Sequence, residues 1–571
     1  MTASARLTWQ TGAFLPPDDH ERLLGPGAPH ELVIEDVLGE KLPVFARRPP
    51  HLRALLDRTV ARQPDDTYLV SPDRQWTFAE AATEIDAIAA LLAGRYEIRP
   101  GDRVGIVAAN SAEYGLVMWA VLSIGAVITS LNGWWTGPEL RYGIELATPS
   151  LIAGDDRRLA RLPADAVPDG VPVVTLDALV AEARLLEDPT PPASTVGEDD
   201  PAVILFTSGT TGRPKGATLS HRNIVNFASV TALSIEIGKV FAPPGAVSAS
   251  PSQPASILSS PMFHVSGMLG ILMSGPVLGS KLVFAPAGRW DETRHLELTV
   301  EHGISTWSGV PTQFWRLLRH PDLDSYDLSS VKTVGGGGAP FPPELTRALT
   351  ERFEHVSLGN GYGMSETVGL GTITGGPLMV ARPEAVGPAQ PGTEVEIRDP
   401  AGRLLVEGEV GEIHLRNASV FLGYWNNPEA TAEAFAEGRW YRTGDFGRIV
   451  DGMLVLESRA RDLILRGGEN IYPLEIEHRL VEHPDVDDVA VIGVDHLELG
   501  QEVKAFVVPR AGSDLTAGDV QRWAAEALAT YKVPTYVAFR DALPYTDTGK
   551  VLKQELEREE RARAEGAGTV P

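Results

Sequence analysis

The stretch Leu205-Phe-Thr-Ser-Gly-Thr-Thr-Gly-Arg-Pro-Lys-Gly216 concentrates hydroxyls, glycines and one lysine in a single segment. Gly209 and Gly212 let the backbone turn tightly and bring its N–H groups close to a ligand. Thr207, Ser208, Thr210 and Thr211 add side-chain donors, and Lys215 adds a point charge. Such a loop suits a polyphosphate. It is not a Walker loop: Pro214 precedes the lysine where that loop has glycine, and Gly216 follows it where that loop has Ser or Thr. Taken alone, a Gly/Ser/Thr loop is an ordinary surface turn, so its meaning depends on what else the chain carries.

Six further clusters follow it. Ser260-Pro-Met-Phe-His264-Val-Ser-Gly267 sets a histidine among apolar residues beside a glycine. Gly335-Gly-Gly-Gly-Ala-Pro340 lacks β-carbons over most of its length, which lets a flat ring approach the backbone at Gly338, Ala339 and Pro340. Asn360-Gly-Tyr-Gly-Met-Ser-Glu-Thr367 places Tyr362 between Gly361 and Gly363 with room to stack on a base. Met364 and Ser365 come next, Ser365 offering a hydroxyl, and Glu366 is an oxygen ligand suited to Mg2+. Tyr441-Arg-Thr-Gly-Asp445 offers a carboxylate able to accept from two sugar hydroxyls, and the segment 459–473 opens on Arg459, Arg461 and the pair Gly467-Gly468. Last, Leu543-Pro-Tyr-Thr-Asp-Thr-Gly-Lys550 ends on a lysine. Singly, these read as a core histidine, plain turns, a charged surface helix and a solvated hairpin tip. A serine hydrolase elbow needs Gly-x-Ser-x-Gly, and neither Ser365, followed by Glu366-Thr367, nor Ser266 stands in that frame.

Together and in this order the motifs resemble the adenylate-forming superfamily, which comprises acyl-CoA synthetases, carrier-loading adenylation domains and luciferases. The resemblance covers roughly residues 52–553. It implies that the first loop, including Gly212 and Lys215, cradles the phosphates of ATP. It implies that Gly338, Ala339 and Pro340 contact adenine, that Asp445 and Arg459 reach the ribose, and that Ser365 reaches the α-phosphate. His264 would gate the acyl pocket. Lys550 would bridge the substrate carboxylate and the α-phosphate, then swing away as a small domain turns about Arg461. Two positions depart from the pattern: Ser365 stands where Thr is commoner, and Arg461 where Asp or Lys is commoner. The element around His264 carries no acid to pair with a substrate ammonium, which favours a carboxylic acid without an α-amine.

The activity implied is an acyl-CoA synthetase. ATP activates a hydrophobic acid, fatty or bulky and polycyclic, to acyl-AMP, and coenzyme A then takes the acyl group. The alternative is a stand-alone adenylation enzyme that loads an acyl or aryl acid onto a separate carrier protein. A light-emitting oxygenase is a third reading with no residue of its own to favour it. Trp307, Val310, Met364 and His264 are expected to line the acid pocket.

Composition agrees. With 76 acidic against 50 basic side chains the net charge is −26, which argues against nucleic acid and anionic membrane as partners. There is no cysteine, so disulfides, thiolate zinc sites and cysteine nucleophiles are excluded, and any thiol in the reaction belongs to a substrate. The first residues lack a signal-peptide core, so a cytoplasmic enzyme is expected. The oligomeric state is left open, with a homodimer among the options.

These residues need rigid elements to hold them. At 571 residues the chain is expected to split into an N-terminal domain, 1–458, and a mobile C-terminal domain, 459–571. The fold class is α/β: mixed parallel sheets with a distorted barrel portion, then a smaller α+β unit. The folded body is expected from about Pro49. Ala202–Phe206 and Asp102–Ala109 read as buried strands, and Leu52–Ala61 and the segment after Thr77 as helices. The uncharged run Tyr114–Leu131 is nearly long enough to cross a bilayer. Asn110 with Glu113 reads as a helix cap, and Gly125 as a stop, so a buried helix followed by a strand is preferred. Short strands and turns from Thr393 to Leu456 suggest an antiparallel unit. Phe241–Pro254 reads as a loose insertion, and the charged tail from Lys553 as a solvated helix end.

Overall fold

A computed structural model of the chain describes residues 4–8, 15–193, 195–207, 214–241, 253–286, 288, 290–337, 341, 343–353, 355–459, 462–466, 469–496, 499–528, 530–545 and 551–567. Most of the 241–254 insertion lies outside these residues.

Two large sheets carry the N-terminal part. The first runs, in spatial order, Gly423–Tyr424, Lys215–Ser220, Pro201–Thr207, Val127–Ser130, Arg103–Val107, Leu151–Gly154 and Val173–Thr175. Its members from Pro201–Thr207 onward are parallel, while Lys215–Ser220 folds back antiparallel on Pro201–Thr207. The second runs Thr372–Gly375, Ser357–Tyr362, Thr333–Gly337, Thr306–Gly309, Ala255–Ile257, Lys281–Val283, Thr67–Val70 and Gln75–Thr77, parallel except for the two outermost strands. A helical layer joins them. Ala112–Ser123 is buried at every position except Glu113, and that burial explains the long uncharged run. Trp119 Nε1 donates to the Tyr68 hydroxyl (2.9 Å), which donates to the Ile271 carbonyl (2.9 Å), so a full-size indole is buried with its N–H satisfied. Gly125 follows that helix at φ +75° and Val127–Ser130 begins the next strand. No helix among the described residues is long and apolar enough to cross a membrane.

The cap differs from expectation. Ser111, not Asn110, caps the helix by accepting from the Tyr114 N–H. The Asn110 amide is taken by a distant segment: it donates to the carbonyls of Leu258 (3.0 Å) and Ser260 (2.7 Å) and accepts from Met262 N–H (2.8 Å). Thr77 does cap the helix Phe78–Gly94, with Glu80 closing a capping box.

The antiparallel unit is present as the distorted barrel portion, in the order Arg6–Thr8, Glu394–Arg398, Gly411–Arg416, Trp440–Val450, Met453–Arg459, Ala385–Gly387. Its first member corrects the expected start of the fold near Pro49. Arg6–Thr8 pairs with Glu394–Arg398, and the Arg6 guanidinium meets Glu396. The hairpin Leu32–Val37/Glu40–Phe45 is also folded before Pro49.

The C-terminal part has its own sheet, built on the long pair Val486–His496/Gly500–Pro509, and its own core. The final helix, Lys553–Ala567, is not merely solvated. Leu556 is fully buried against Ala490, Ile492 and Phe506, and Lys553–Glu477 (2.7 Å), Lys504–Glu560 (2.5 Å) and Arg540–Glu559 (2.8 Å) tie it to the domain.

Candidate active site

The strand Pro201–Thr207 and its antiparallel return strand Lys215–Ser220 place Thr207 and Lys215 as registered partners. Ser208, Gly209, Thr210, Thr211 and Gly212 lie outside the described residues, as do Gly338, Ala339, Pro340, Arg461, Gly467, Gly468 and Lys550. The Lys550 segment is bracketed by a bridge between Tyr545 and Val551, and the Tyr545 hydroxyl donates to Asp488.

The strand Ser357–Tyr362 delivers the second motif. Gly361 lies within it, and a tight turn at Ser365–Thr367 follows. Gly363 is obligatory there, since a β-carbon on it would stand 2.2 Å from the Gly369 backbone. Half-buried Met364 packs between two core clusters, and half-buried Ser365 opens the turn. Glu366 is 7% exposed. Its backbone carbonyl accepts from Phe421 N–H (2.8 Å), and its Oε1 accepts from the Tyr424 hydroxyl (3.0 Å). The Thr207 hydroxyl lies close enough to this carboxylate to favour its charged form, which sets the first motif beside the second. Burial pushes the Glu366 carboxyl up, and these hydrogen bonds pull it back.

On the neighbouring wall the Tyr362 hydroxyl donates to Asp445 Oδ2 (3.0 Å), and Asp445 is the registered partner of Arg459. Gly444, at φ +68°, sits in the register irregularity of the strand Trp440–Val450 just before this carboxylate. Asp445 adds to the upward shift of Glu366, so the two carboxylates share one electrostatic environment. Lys215 Nζ sits 5.0 Å from the centre of the Tyr424 ring.

His264 precedes the helix Val265–Leu269, flanked by Phe263 (4.8 Å between ring centres) and Trp134 (6.0 Å). Burial lowers its pKa to about 4, so the ring is neutral near pH 7. Gly267 is needed in this element because a β-carbon there would stand 2.2 Å from the Pro261 carbonyl oxygen. Trp307 does not line a pocket. It is 1% exposed, its Nε1 donates to Thr299 (3.0 Å), and it packs edge-on against His295 and Phe353 beneath the second sheet.

Two residues escaped sequence reasoning. Tyr424 carries no local motif, and its Glu366 contact spans 58 positions. Trp134 is 38% exposed beside His264, and an aromatic in a Gly-Trp-Trp turn was the available signal. A cavity of about 560 Å3 lies elsewhere, between Glu344 and Arg347 and the C-terminal part, where Arg479 is bound to Glu482 and Glu526 and stacks on Trp523.

The chain that carries this buried carboxylate and Tyr–Asp pair is matched by known proteins. Residues 56–425 match the AMP-binding enzyme family, and residues 475–550 match the C-terminal domain of AMP-binding enzymes. The chain belongs to that family. It is an ATP-dependent, AMP-forming acid–CoA ligase of acyl-CoA synthetase type. It is 31% identical to the mitochondrial medium-chain acyl-CoA ligase of Macaca fascicularis over 89% of this chain and 88% of that one. It is 32% identical to feruloyl-CoA synthase of an Amycolatopsis species over 84% and 93%. Among solved structures, ATP-bound MatB from Rhodopseudomonas palustris superposes with a TM-score of 0.77 at 29% identity, covering 89% of this chain and 99% of that one. The Mycobacterium tuberculosis fatty acyl CoA synthetase gives 0.71 at 27%, covering 90% and 99%.

Proposed function

We propose that this ligase activates a hydrophobic carboxylic acid without an α-amine, a medium- or long-chain fatty acid or a bulky polycyclic acid. The observation that carries the reading is the neutral His264 between Phe263 and Trp134, in an element with no acid to hold a substrate ammonium. The relatives named for medium-chain acyl and feruloyl substrates support an apolar or aromatic acyl group.

In the first step a carboxylate oxygen attacks the α-phosphorus of ATP and pyrophosphate leaves. Both reactants are anions, so cations must offset their repulsion: Lys215 on the hairpin and Lys550 on the C-terminal domain. Ser365 hydrogen-bonds the α-phosphate, and Tyr362 and Asp445 with Arg459 fix the nucleoside. Glu366 is the residue that would hold Mg2+, which screens phosphate charge when bound. The fit rests on a single buried carboxylate oriented by a phenol, suited to a hard cation that keeps phosphate and water oxygens as its other ligands. In the second step the thiol sulfur of CoA attacks the acyl carbon, AMP leaves, and the thiol proton passes to solvent. Domains 1–458 and 459–571 exchange orientation about Arg461 between the steps, withdrawing Lys550 and bringing in the Gly467-Gly468 loop. The same reading places the enzyme in the cytoplasm.

A panel of acids scored for pyrophosphate release, with free CoA present and acyl-CoA quantified, tests this. Aliphatic or polycyclic acids should turn over and amino acids should not. Preference for α-amino acids would overturn the substrate class. Release of pyrophosphate without acyl-CoA, but with acylation of a carrier protein, would favour the carrier-loading alternative.

A further inference from the structure

Lys215 and Glu366 both meet one tyrosine, the lysine at its ring face and the carboxylate at its hydroxyl. Lys215 Nζ lies 5.0 Å from the ring centre of Tyr424, while the hydroxyl of that ring reaches Glu366 Oε1 at 3.0 Å. A free ammonium and a buried carboxylate this close would ordinarily pair, and a pair in a site of low dielectric is strong. Among the described residues Lys215 has no carboxylate within ion-pair distance. The tyrosine satisfies each group separately: its π face takes the cation and its O–H takes the anion.

The ring is also held firmly. The strand Gly423–Tyr424 pairs with the very strand that carries Lys215, with Ala217 opposite Tyr424. Tyr424 N–H donates to Thr431 Oγ1 (2.9 Å), Trp425 N–H to the Gly216 carbonyl (2.8 Å), and Phe421 packs edge-on against the ring (4.9 Å).

We propose that Tyr424 is a positioning residue that keeps Lys215 and Glu366 from neutralising one another, so that the lysine stays available to the phosphates of ATP. The inference rests on the roles given above to Lys215 and Glu366. It predicts that the harm done by removing the ring is specifically an unwanted Lys215–Glu366 pair, and that removing the carboxylate charge repairs it.

The test measures ATP affinity without divalent metal, by equilibrium dialysis, for Tyr424→Leu, Glu366→Gln and the double variant. Tyr424→Leu should weaken metal-free ATP binding by about tenfold, the scale of losing one positioning partner. The double variant should recover wild-type affinity to within about threefold, an outcome that a structural defect would not give. Undiminished binding in Tyr424→Leu, or a double variant as weak as the single one, overturns the proposal. Should Tyr424→Leu fail to fold, Tyr424→Phe decides. With the ring kept and the hydroxyl lost, it should slow pyrophosphate release by about tenfold and leave thioester formation from synthetic acyl-adenylate unchanged. Equal loss in both steps, or in neither, overturns it. Lys215→Ala separates the two layers: if it leaves metal-free ATP affinity unchanged, the role of Lys215 itself is wrong, whatever Tyr424 does.

Discussion

The two large sheets have similar parallel cores but different material at the ends of their strands. In the first, Val104, Ile106, Ile128, Val203 and Ile204 are fully buried, so bulky side chains fill the strands. In the second, Gly309, Gly335, Gly336, Gly337, Gly359 and Gly361 lie along three neighbouring strands. A β-carbon on Gly336 would stand 2.0 Å from the Gly309 carbonyl oxygen, and one on Gly335 2.7 Å from that of Gly359. These strands approach more closely than side chains allow. One sheet is therefore a stiff platform and the other a wall of bare backbone, and Glu366 with Thr207 marks where they meet.

Mutations can break this contrast. Trp119→Ala, in the packed layer, should cost about 3–5 kcal/mol in denaturant unfolding. The ATP KM of the folded fraction should be unchanged; a large KM shift would mean that the platform shapes the site directly. Glu366→Gln, at the junction, should slow pyrophosphate release about a hundredfold with little change in stability. Gly336→Ala should destabilise by about 1–3 kcal/mol, because the clash is with backbone that can only shift. Gly361→Ala sharpens the contrast: the nearest atom to its new β-carbon would be Ile373 Cγ1 at 3.8 Å, so stability should move by less than about 0.5 kcal/mol. If this glycine serves the base of ATP, KM for ATP should still rise by roughly tenfold.

The smallest effect is on acid stability. An unfolded histidine takes its proton near 6.5, whereas folded His264 takes it only near 4. Between those values the unfolded chain binds the extra proton, so the contribution is full above about pH 6.5 and is lost as pH falls toward 4. His221 and His295, held at about 3 and about 4, act with the same sign. His264→Gln should flatten the slope of unfolding free energy against pH in that window without abolishing it.

Much of this was legible because the motifs are local. The hairpin, the Tyr362–Glu366 turn and the Thr-Gly-Asp turn each fit within a few residues. What escaped depends on distant partners. Asn110 looked like a cap because Glu113 stands three residues on, but its amide braces residues 258–262 instead. Trp307 was expected to line the acid pocket; strand alternation turns it to the helix side, where Thr299 receives its N–H. The acid- and base-rich tail reads as solvated until Glu477, Lys504 and Arg540 supply its partners.

The barrel strand that starts the chain bears on biosynthesis. Arg6 and its partner Glu396 are 390 positions apart. At about 5–20 residues per second, that leading segment leaves the ribosome roughly 20–80 s before anything exists for it to pair with. It must wait as an unpaired edge, and the sheet that sets Asp445 closes only late in synthesis.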